Sequence, residues 1–410
     1  MRKLLFISYY FPPILSSESL RALRTVKYLP RCGWEPIVLT VFPTKLVARD
    51  FDNSLLSELP RKIPIYRAYS FKNMVSNFAL REIRKLLGWS CLASYMIEWL
   101  PFALLKGKEV LEKETIEAII SRSTPFASHL VALKLKSLSG VPWIADFSDP
   151  WTQNPYLERV TALDESLERA VVLAADKIIF TNIYAKKLLL NKYKSIKEER
   201  VIVIPNQYDP EDFAKQEKVP ASKVFTVVHT GNFYEARSPE TFLKALRMLK
   251  DQEGFAEKIK VKLIGKVNHK LRCLISKYRL EDIVETIRTI PHKNVLHNLH
   301  TADILLLIDA PTDELSPFLP LKLVEYICVR KPILAITPLK GASGDVVRST
   351  KTGIIISPND INGIKDVIKR FYQQYENSEL GIRPCWNEVK KYSANRCTGI
   401  LAGILEELAD

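Results

Sequence analysis

Two basic side chains lie where the sequence could hold an anion. Arg237 directly precedes a predicted helix that begins near Pro239, and Lys322 follows Pro320 at the start of another predicted helix. Because backbone amides and positive charge converge at such positions, a phosphate group is the ligand that suits them best. We therefore expect Arg237 to hold a phosphate, and Lys322 to add charge where the helix amides could receive a diphosphate. Position alone leaves a second interpretation of Arg237, as a solvated loop residue.

The residues beside these cations complete the candidate anion site. Gly231 directly follows a predicted strand, where the absence of a side chain lets a ligand approach the backbone, and Asn232 comes next. Leu323 and Val324 lie in the first turn of the short helix, whose amides could receive a diphosphate. Glu325 lies about one turn into this helix, where its carboxylate could accept both hydroxyls of a ribose. A surface-helix glutamate is the alternative.

Loops after the predicted strands of the first half carry a second polar set. Ser16 and Ser17 precede a predicted helix, where they cap it or offer amides to a phosphate. Asp146 and Asp149 follow the fourth predicted strand, where they accept hydrogen bonds from substrate hydroxyls or cap the next segment. Because open α/β sheets bind ligands at the carboxyl ends of their strands, we place an acceptor substrate beside these four residues.

His129 is a candidate catalytic group. It is predicted in the first turn of a helix that follows the third strand, facing the crevice; a structural histidine is the alternative. The sequence lacks the glycine-rich dinucleotide and phosphate loops, the HExxH motif and the GxSxG motif. Its six cysteines include no CxxC pair, so we predict no metal site.

Short apolar runs that alternate with helical segments must position these residues. Runs without polar alternation are typical of strands buried on both faces of a parallel sheet, and alternation with helices predicts α/β units. The predicted strands of the first half are Lys3–Ser8, Pro36–Val41, Ala118–Ser121, Trp143–Phe147, Lys177–Thr181 and Val201–Ile204, and those of the second half are Phe225–Thr230, Val261–Gly265, Val284–Ile287, Ile304–Ile308, Pro332–Thr337 and Gly353–Ile356. Two sets of six predict two doubly wound domains, residues 1–206 and 207–386, with residues 387–410 returning to the first.

Positive charge is concentrated near the N-terminus. The chain has 60 basic and 46 acidic side chains, a formal net charge of +14, and its first 100 residues hold 15 basic and 7 acidic ones. Residues 71–107 combine Arg81, Arg84 and Lys85 with tryptophans and aliphatic residues. Such an amphipathic basic region can lie on an anionic membrane surface; a helical insertion packed on its own domain is the alternative. No run of 18 apolar residues occurs, so we predict no transmembrane helix. The widely spread cysteines indicate free thiols in a reducing compartment, so we place the protein in the cytoplasm, peripherally on the inner face of the plasma membrane.

The motifs together resemble the retaining glycosyltransferases of family 4, whose two Rossmann-like domains face a central cleft in the fold called GT-B. The resemblance spans nearly the whole chain. It rests on Tyr9–Pro13, Arg21, Gly33–Pro36, Ser123–His129, Asp146–Trp151, Ala174–Ile179, Ile204–Asn206 and His229–Tyr234. It implies a nucleotide-sugar donor on the C-terminal domain, a glycan or lipid-linked acceptor on the N-terminal domain, and no cofactor or metal. Arg237 and Lys322 would then stabilise the leaving diphosphate.

The sequence departs from the family pattern at three places. Asn232 stands where the family has an arginine that binds the diphosphate. Pro317 stands where the first of two spaced glutamates is expected, and Glu314 is out of register, so only Glu325 matches. Gln207 replaces a glycine at the linker. These departures keep two alternatives open, a catalytically silent scaffold of this fold and a sugar-nucleotide epimerase. Charge alone suggests nucleic-acid binding, and the sequence lacks the motif of a known binding module.

Overall fold

The protein is described by a computed structural model at residues 1–60, 62–73, 96–157, 159–214, 224–234, 237–252, 255–310 and 315–410. It divides into two compact units. Unit 1 holds residues 1–207 and 394–410, and unit 2 holds residues 208–393. Each unit is an α/β domain built on its own parallel sheet.

Unit 1 contains a seven-stranded parallel sheet with the order β3-β2-β1-β4-β5-β6-β7. Its strands are β1 (Arg2–Ser8), β2 (Trp34–Val41), β3 (Ile65–Ala68), β4 (Ala118–Arg122), β5 (Trp143–Phe147), β6 (Lys177–Phe180) and β7 (Val201–Val203). Its described α-helices are α1 (Ser17–Tyr28), α2 (Leu100–Lys113), α3 (Ala127–Ser139), α4 (Ala162–Ala174), α5 (Ile183–Lys192) and, from the end of the chain, α13 (Ala394–Ala409).

Helices cover both faces of this sheet. Successive side chains of β1 point to opposite faces. Leu4 and Phe6 join a buried cluster with residues of α1 and α13. Leu5 and Ile7 join another with residues of α2, α3, α4 and α5. Burial on both faces is the reason that these strands are continuous apolar runs.

Unit 2 contains a six-stranded parallel sheet with the order β10-β9-β8-β11-β12-β13. Its strands are β8 (Phe225–Thr230), β9 (Ile259–Ile264), β10 (Val284–Ile287), β11 (Ile304–Ile308), β12 (Ile333–Ile336) and β13 (Gly353–Ile356). Its described α-helices are α6 (Glu240–Lys250), α7 (His269–Lys277), α8 (His292–Thr301), α9 (Leu321–Tyr326), α10 (Ala342–Thr350), α11 (Ile361–Glu376) and α12 (Trp386–Val389).

The strand order reverses direction between β1 and β4 in unit 1 and between β8 and β11 in unit 2. At such a point the connections leave to opposite sides, and a crevice opens at the carboxyl ends of the two strands. The ends of β8 and β11 therefore mark the first place to look for a ligand site in unit 2. The ends of β1 and β4 do the same in unit 1.

Two features of the fold differ from the sequence predictions. The strand β3 was not predicted, because Ile65–Ala68 is a short edge strand that mixes half-buried Tyr66 and Arg67 with apolar residues. The return to unit 1 begins at Ala394, so residues 387–393 belong to unit 2 rather than to the first domain. The Cys385 amide donates to the carbonyl oxygen of Thr350 at the end of α10, and this bond holds the start of α12 on unit 2.

Candidate active site

The loop after β8 brings two glycine backbones into close contact. Gly231 has a φ of 106°, and its amide donates to the carbonyl oxygen of Ile264 at the end of β9. A Cβ on Gly265 would lie 2.4 Å from the carbonyl oxygen of Gly231, so the two chain segments touch backbone to backbone. The positive φ and this close approach both require residues without a side chain. The loop is thereby fixed at the carboxyl end of the sheet.

Asn232 fastens the same loop through its side chain. Its Oδ1 accepts a hydrogen bond of 2.8 Å from the amide of Lys266, just beyond β9. Asn232 carries no charge. Its contact stabilises the loop geometry around Gly231.

Lys322 reaches the space that Gly231 leaves empty. A Cβ on Gly231 would lie 2.6 Å from Lys322 Nζ, so the ammonium group fills the place of a side chain. The helix α9 is held there by Tyr326, whose hydroxyl oxygen accepts a 2.8 Å hydrogen bond from the amide of Thr230. Burial, followed by the positive charge of Arg237, lowers the pKa of Lys322 to about 7. Because burial and Arg237 both disfavour the charged form of Lys322, binding of an anion would stabilise this site.

Arg237 lies near Lys322 and makes contact with the end of β11. Its Nη2 is 3.5 Å from Asp309 Oδ1, and its Nη1 donates to the Tyr234 hydroxyl at 3.1 Å. Asp309 directly follows β11 and also accepts a 3.1 Å hydrogen bond from the Thr337 hydroxyl. Only 11% of the Arg237 side chain is exposed, so a solvated loop arginine is the wrong interpretation. Gly231, Arg237 and Lys322 thus come together where the strand order of unit 2 reverses.

Glu325 is almost completely buried, with 4% of its surface exposed. Its Oε1 lies 2.9 Å from Nε2 of His292, the first residue of α8. The alternative of a surface glutamate is therefore wrong. A carboxylate held by a neighbouring side chain inside a domain is suited to bind hydroxyl groups, since it has limited freedom to turn away.

Of the neighbouring residues of α9, Leu323 has a different role from the one predicted. The side chains of Leu323 and Val324 are fully buried, and the Leu323 amide donates to the carbonyl oxygen of Pro320. The prediction that Leu323 offers a free amide is therefore wrong, because the tight first turn of this short helix uses that amide. Pro317 is also buried, and Glu314 lies outside the described residues.

In unit 1, Asp146 belongs to a buried ion cluster instead of an open acceptor site. Arg21 Nη2 lies 2.6 Å from its Oδ1, and Arg122 Nε lies 2.8 Å from its Oδ2. Burial by itself would raise the pKa of Asp146, but the charges of Arg122 and Arg21 outweigh it and hold the pKa below its usual value. Both carboxylate oxygens of Asp146 are bonded to buried arginines, so the prediction that it accepts hydrogen bonds from substrate is wrong. The two arginines saturate the carboxylate and join α1 to β4 and β5.

His129 does not face a crevice. It lies in the first turn of α3, as predicted, but none of its surface is exposed. Its Nδ1 lies 2.7 Å from the Ser121 hydroxyl, and its ring packs on Phe147 with 4.3 Å between centroids. Burial lowers the pKa of His129 to about 3, so the ring is neutral. The predicted crevice position is therefore wrong, and the structural alternative describes this histidine.

The remaining acceptor-side candidates lie nearer the surface of unit 1. Ser16 caps α1 by accepting a 3.1 Å hydrogen bond from the Ser19 amide, as an ordinary cap does. Ser17 is exposed, and Asp149 is half-buried after β5. The loop with Asp149 is fixed further along by Glu168, which accepts hydrogen bonds from the amide and the hydroxyl of Thr152.

Sequence reasoning overlooked Asp309, His292 and the contact of His229 with Lys322. Asp309 carries a recognisable signal, since it directly follows a buried strand as the predicted site residues do. His229 lies two residues before Gly231, and its Nε2 is 3.3 Å from Lys322 Nζ. His292 opens α8 far along the chain from Glu325, and nothing in the local pattern connects the two.

Comparison with known proteins identifies the family. The profile for glycosyltransferase family 4 matches residues 20–212, and the profile for the group 1 glycosyl transferases matches residues 210–380. The chain belongs to the family 4 glycosyltransferases. Between them the two profiles cover both units. The predicted family is confirmed.

Individual curated relatives match a smaller part of the chain than the two family profiles do together. A protein named as a colanic acid biosynthesis glycosyltransferase, WcaL of Escherichia coli K12, is 28% identical over 164 residues. That match covers 40% of this chain and 39% of WcaL, so the chain spans about two-fifths of the curated relatives that it matches.

Solved structures show the fold. A glycosyltransferase from Rickettsia africae superposes with a TM-score of 0.68 at 15% identity, covering 99% of this chain and 98% of that one. The sucrose-phosphate synthase from Thermosynechococcus elongatus gives 0.69 at 16% identity, covering 100% and 99%. The predicted fold class, GT-B with two doubly wound Rossmann-like domains, is confirmed.

The basic stretch 71–107 falls largely outside the described residues, including Arg81, Arg84 and Lys85. On its described flanks, Tyr69, Phe71 and Leu105 are exposed, with 70% of Leu105 accessible. Among the described residues, no helix combines the length and the apolar character needed to cross a membrane.

Proposed function

We propose that this chain transfers a hexose from a nucleoside diphosphate sugar to a glycan or lipid-linked acceptor in polysaccharide biosynthesis. Family membership supports glycosyl transfer, and the relative named for colanic acid biosynthesis supports a polysaccharide product. The observation that carries the donor assignment is the meeting of Arg237 and Lys322 beside Gly231 at the end of β8.

The donor diphosphate binds to the two cations of this cluster. A diphosphate brings negative charge to a place where Arg237 disfavours a second cation, so its binding removes an unfavourable interaction. Glu325 binds the ribose hydroxyls.

The reaction breaks the bond between the anomeric carbon and the diphosphate oxygen and forms a bond to the acceptor oxygen. Negative charge grows on the diphosphate as the bond breaks, and Arg237 and Lys322 stabilise that charge. This pair performs the electrostatic work that a bound cation performs in other transferases, so the reaction needs no added metal ion. The acceptor proton passes to the leaving diphosphate on the same face of the sugar, which gives retention of configuration without a side-chain nucleophile.

The acceptor binds to unit 1, where exposed Ser17 and half-buried Asp149 are the remaining candidate contacts. Basic charge in the first 100 residues, together with exposed Tyr69, Phe71 and Leu105, favours an acceptor at an anionic bilayer. We therefore include peripheral membrane association in the proposal.

The test uses the full chain with the UDP-, GDP-, ADP- and dTDP-linked forms of common hexoses. Release of the nucleoside diphosphate is measured with and without a polyprenyl-pyrophosphate-linked sugar in detergent, in the presence of EDTA. We expect acceptor-dependent release and a product whose anomeric configuration, determined by NMR, equals that of the donor. Lys322→Met should abolish turnover, whereas Lys369→Met, at an exposed position on α11, should not.

Three outcomes would contradict the proposal in different ways. If no nucleoside diphosphate is released from any donor, the chain is a silent scaffold. If the donor alone is converted to an isomeric sugar, the chain is an epimerase. If the product has the opposite configuration, the transferase assignment stands and retention is wrong.

A further inference from the structure

His229 occupies a central position beneath the candidate donor site. It is the fifth residue of β8, and none of its surface is exposed. Pairing between β8 and β11 joins Val227 to Ile304 and Val228 to Leu305. At the next step the His229 side chain bonds to the neighbouring strand, with Nδ1 2.8 Å from the carbonyl oxygen of Leu306. A buried histidine at this place either fills the core or acts on the site above it.

The hydrogen bond to Leu306 fixes the tautomer of the ring. A carbonyl oxygen can only accept, so Nδ1 carries the hydrogen and donates it. Burial, followed by the charge of Lys322, holds the pKa of His229 well below its usual value, and the ring is therefore neutral. Nε2 then carries a lone pair. Phe233 stacks on the ring with 4.6 Å between centroids and 14° between planes, so the direction of that lone pair is fixed.

The lone pair points to Lys322. Nε2 lies 3.3 Å from Nζ, and the ammonium group donates while the imidazole accepts. The same Nζ lies in the space left by the missing side chain of Gly231. The charged groups that act on Lys322 are Arg237, Asp309 and Glu325, and Asp309 also contacts Arg237. His229 is the neutral partner in this set.

A neutral hydrogen-bond acceptor affects the charge of Lys322 differently from a carboxylate. A carboxylate within hydrogen-bond distance would neutralise the ammonium group and compete with a phosphate for it. An imidazole lone pair orients the ammonium group and leaves its positive charge available. We propose that His229 is a positioning residue, which holds the Lys322 ammonium group beside Gly231 for the diphosphate of the donor. This inference rests on the proposed function.

The test compares three substitutions that separate shape from hydrogen bonding. His229→Phe keeps a buried ring but removes the acceptor. His229→Gln has a longer amide that can still reach Lys322, whereas His229→Asn can bond to Leu306 but is too short to reach Lys322. Binding of UDP, GDP, ADP and dTDP is measured at pH 7 in separate calorimetric titrations of the full chain, and thermal unfolding shows that each variant is folded.

We expect the Phe and Asn variants to bind the diphosphate at least about tenfold more weakly than the wild type, and the Gln variant to stay within about threefold. The effect must act through Lys322. In a Lys322→Met background, His229→Phe should therefore change the affinity by less than about twofold, since the interaction it removes is already absent. If the Phe variant does not fold, the comparison of Asn with Gln provides the same test.

Two results would overturn the proposal. Equal affinity of the wild type and the Phe and Asn variants would show that His229 only fills the core. If His229→Phe lowers the affinity equally in the wild-type and Lys322→Met backgrounds, the substitution distorts the site as a whole. Both results leave the proposed function intact. A wild type that binds none of the four nucleotides would overturn the proposed function and this inference together.

Discussion

The Arg237 guanidinium and the Asp309 carboxylate meet at 3.5 Å, at the upper limit of a hydrogen bond. Asp309 is 2% exposed and receives a shorter bond of 3.1 Å from the Thr337 hydroxyl, so the carboxylate is fixed from the side of β12. Arg237 thus contacts the end of β11 through an ion pair of 3.5 Å. An incoming diphosphate would compete with Asp309 for the guanidinium group.

Arg237→Ala is expected to lower kcat more than it raises KM. Charge on the leaving diphosphate grows in the transition state, so an arginine that binds it acts more strongly there than in the ground state. Loss of one such donor lowers kcat by about 100-fold. Arg237→Lys should retain only part of the activity, since lysine keeps the positive charge but lacks the planar guanidinium group. Steady-state kinetics measures both constants.

The matched control is Arg370→Ala, at an exposed arginine on α11. It should leave both constants unchanged. A kcat/KM for Arg237→Ala within about twofold of the wild type would remove Arg237 from the diphosphate site.

Glu325→Ala is expected to weaken nucleotide binding by about 1.5–3 kcal/mol, the contribution of a charge-assisted hydrogen bond. The weakening should depend on the ribose hydroxyls. Wild type should prefer UDP or GDP over the 2′,3′-dideoxy form, and the variant should have lost that preference. Calorimetric titration with both forms measures it, and exposed Glu379→Ala serves as control. A variant that still discriminates between the two forms would exclude Glu325 from ribose binding.

Diphosphate binding is expected to weaken as the pH rises above about 7, through Lys322. Its pKa in the free protein is about 7, and a bound diphosphate raises that pKa, so binding takes up a proton. Below the free pKa the lysine is already charged and the affinity is at its maximum. Above it, part of the binding free energy is used to protonate the lysine.

The measurement is the Kd of UDP and GDP between pH 7 and 9.5. Lys322→Arg should bind with a flat pH profile in this range, because arginine stays protonated. A wild-type profile as flat as that of the arginine variant would show that Lys322 is charged throughout.

Asp146→Asn is expected to lower the free energy of unfolding of unit 1 by about 3–5 kcal/mol, because it leaves two buried arginines without their carboxylate. Chemical denaturation measures the change. The control is Asp345→Asn, which breaks the ion pair with Arg348 at a position where about half of each side chain is exposed. That change should cost about 0–1 kcal/mol. Equal effects of the two substitutions would contradict a stabilising role of the buried cluster.

Association with anionic vesicles, reversed by high salt, is expected for the wild type. Each basic residue near an anionic bilayer contributes about 1 kcal/mol, and salt screens the attraction. Replacing Arg81, Arg84 and Lys85 together with Glu should release the protein from the vesicles and leave nucleotide binding intact. Co-sedimentation with phosphatidylserine-containing and with neutral vesicles measures the binding of the wild type and of the variant.

The charge-matched control replaces Lys351, Lys369 and Arg370, all exposed in unit 2, with Glu. This triple variant should still bind to the anionic vesicles. Equal sedimentation of the wild type with neutral and anionic vesicles, or with neither, would favour a soluble acceptor.

Local sequence determined most of the two sheets. Five predicted strands, including Trp143–Phe147 and Phe225–Thr230, have the same bounds in the structure, and the other seven differ by one to two residues at their ends. Strands buried on both faces must be apolar throughout, so their composition marks them without knowledge of their neighbours. Strand β3 lacks this mark because it has only four residues, and half-buried Tyr66 and Arg67 interrupt its apolar run.

Local sequence also placed Gly231, Arg237 and Lys322 in one site, since each lies at a strand end or at the start of a helix on the same edge of a parallel sheet. Only the tertiary structure decided what each of these residues contacts. The sequence predicted that Asp146 contacts substrate, but in the folded sheet it bonds to Arg122 and to Arg21, which is 125 positions away along the chain. Lys322 and His229 are 93 positions apart, and their contact depends on the docking of α9 over β8. Strand and helix formation depend on nearby residues, whereas the charge state and the partners of a buried side chain depend on which distant segments fold against it.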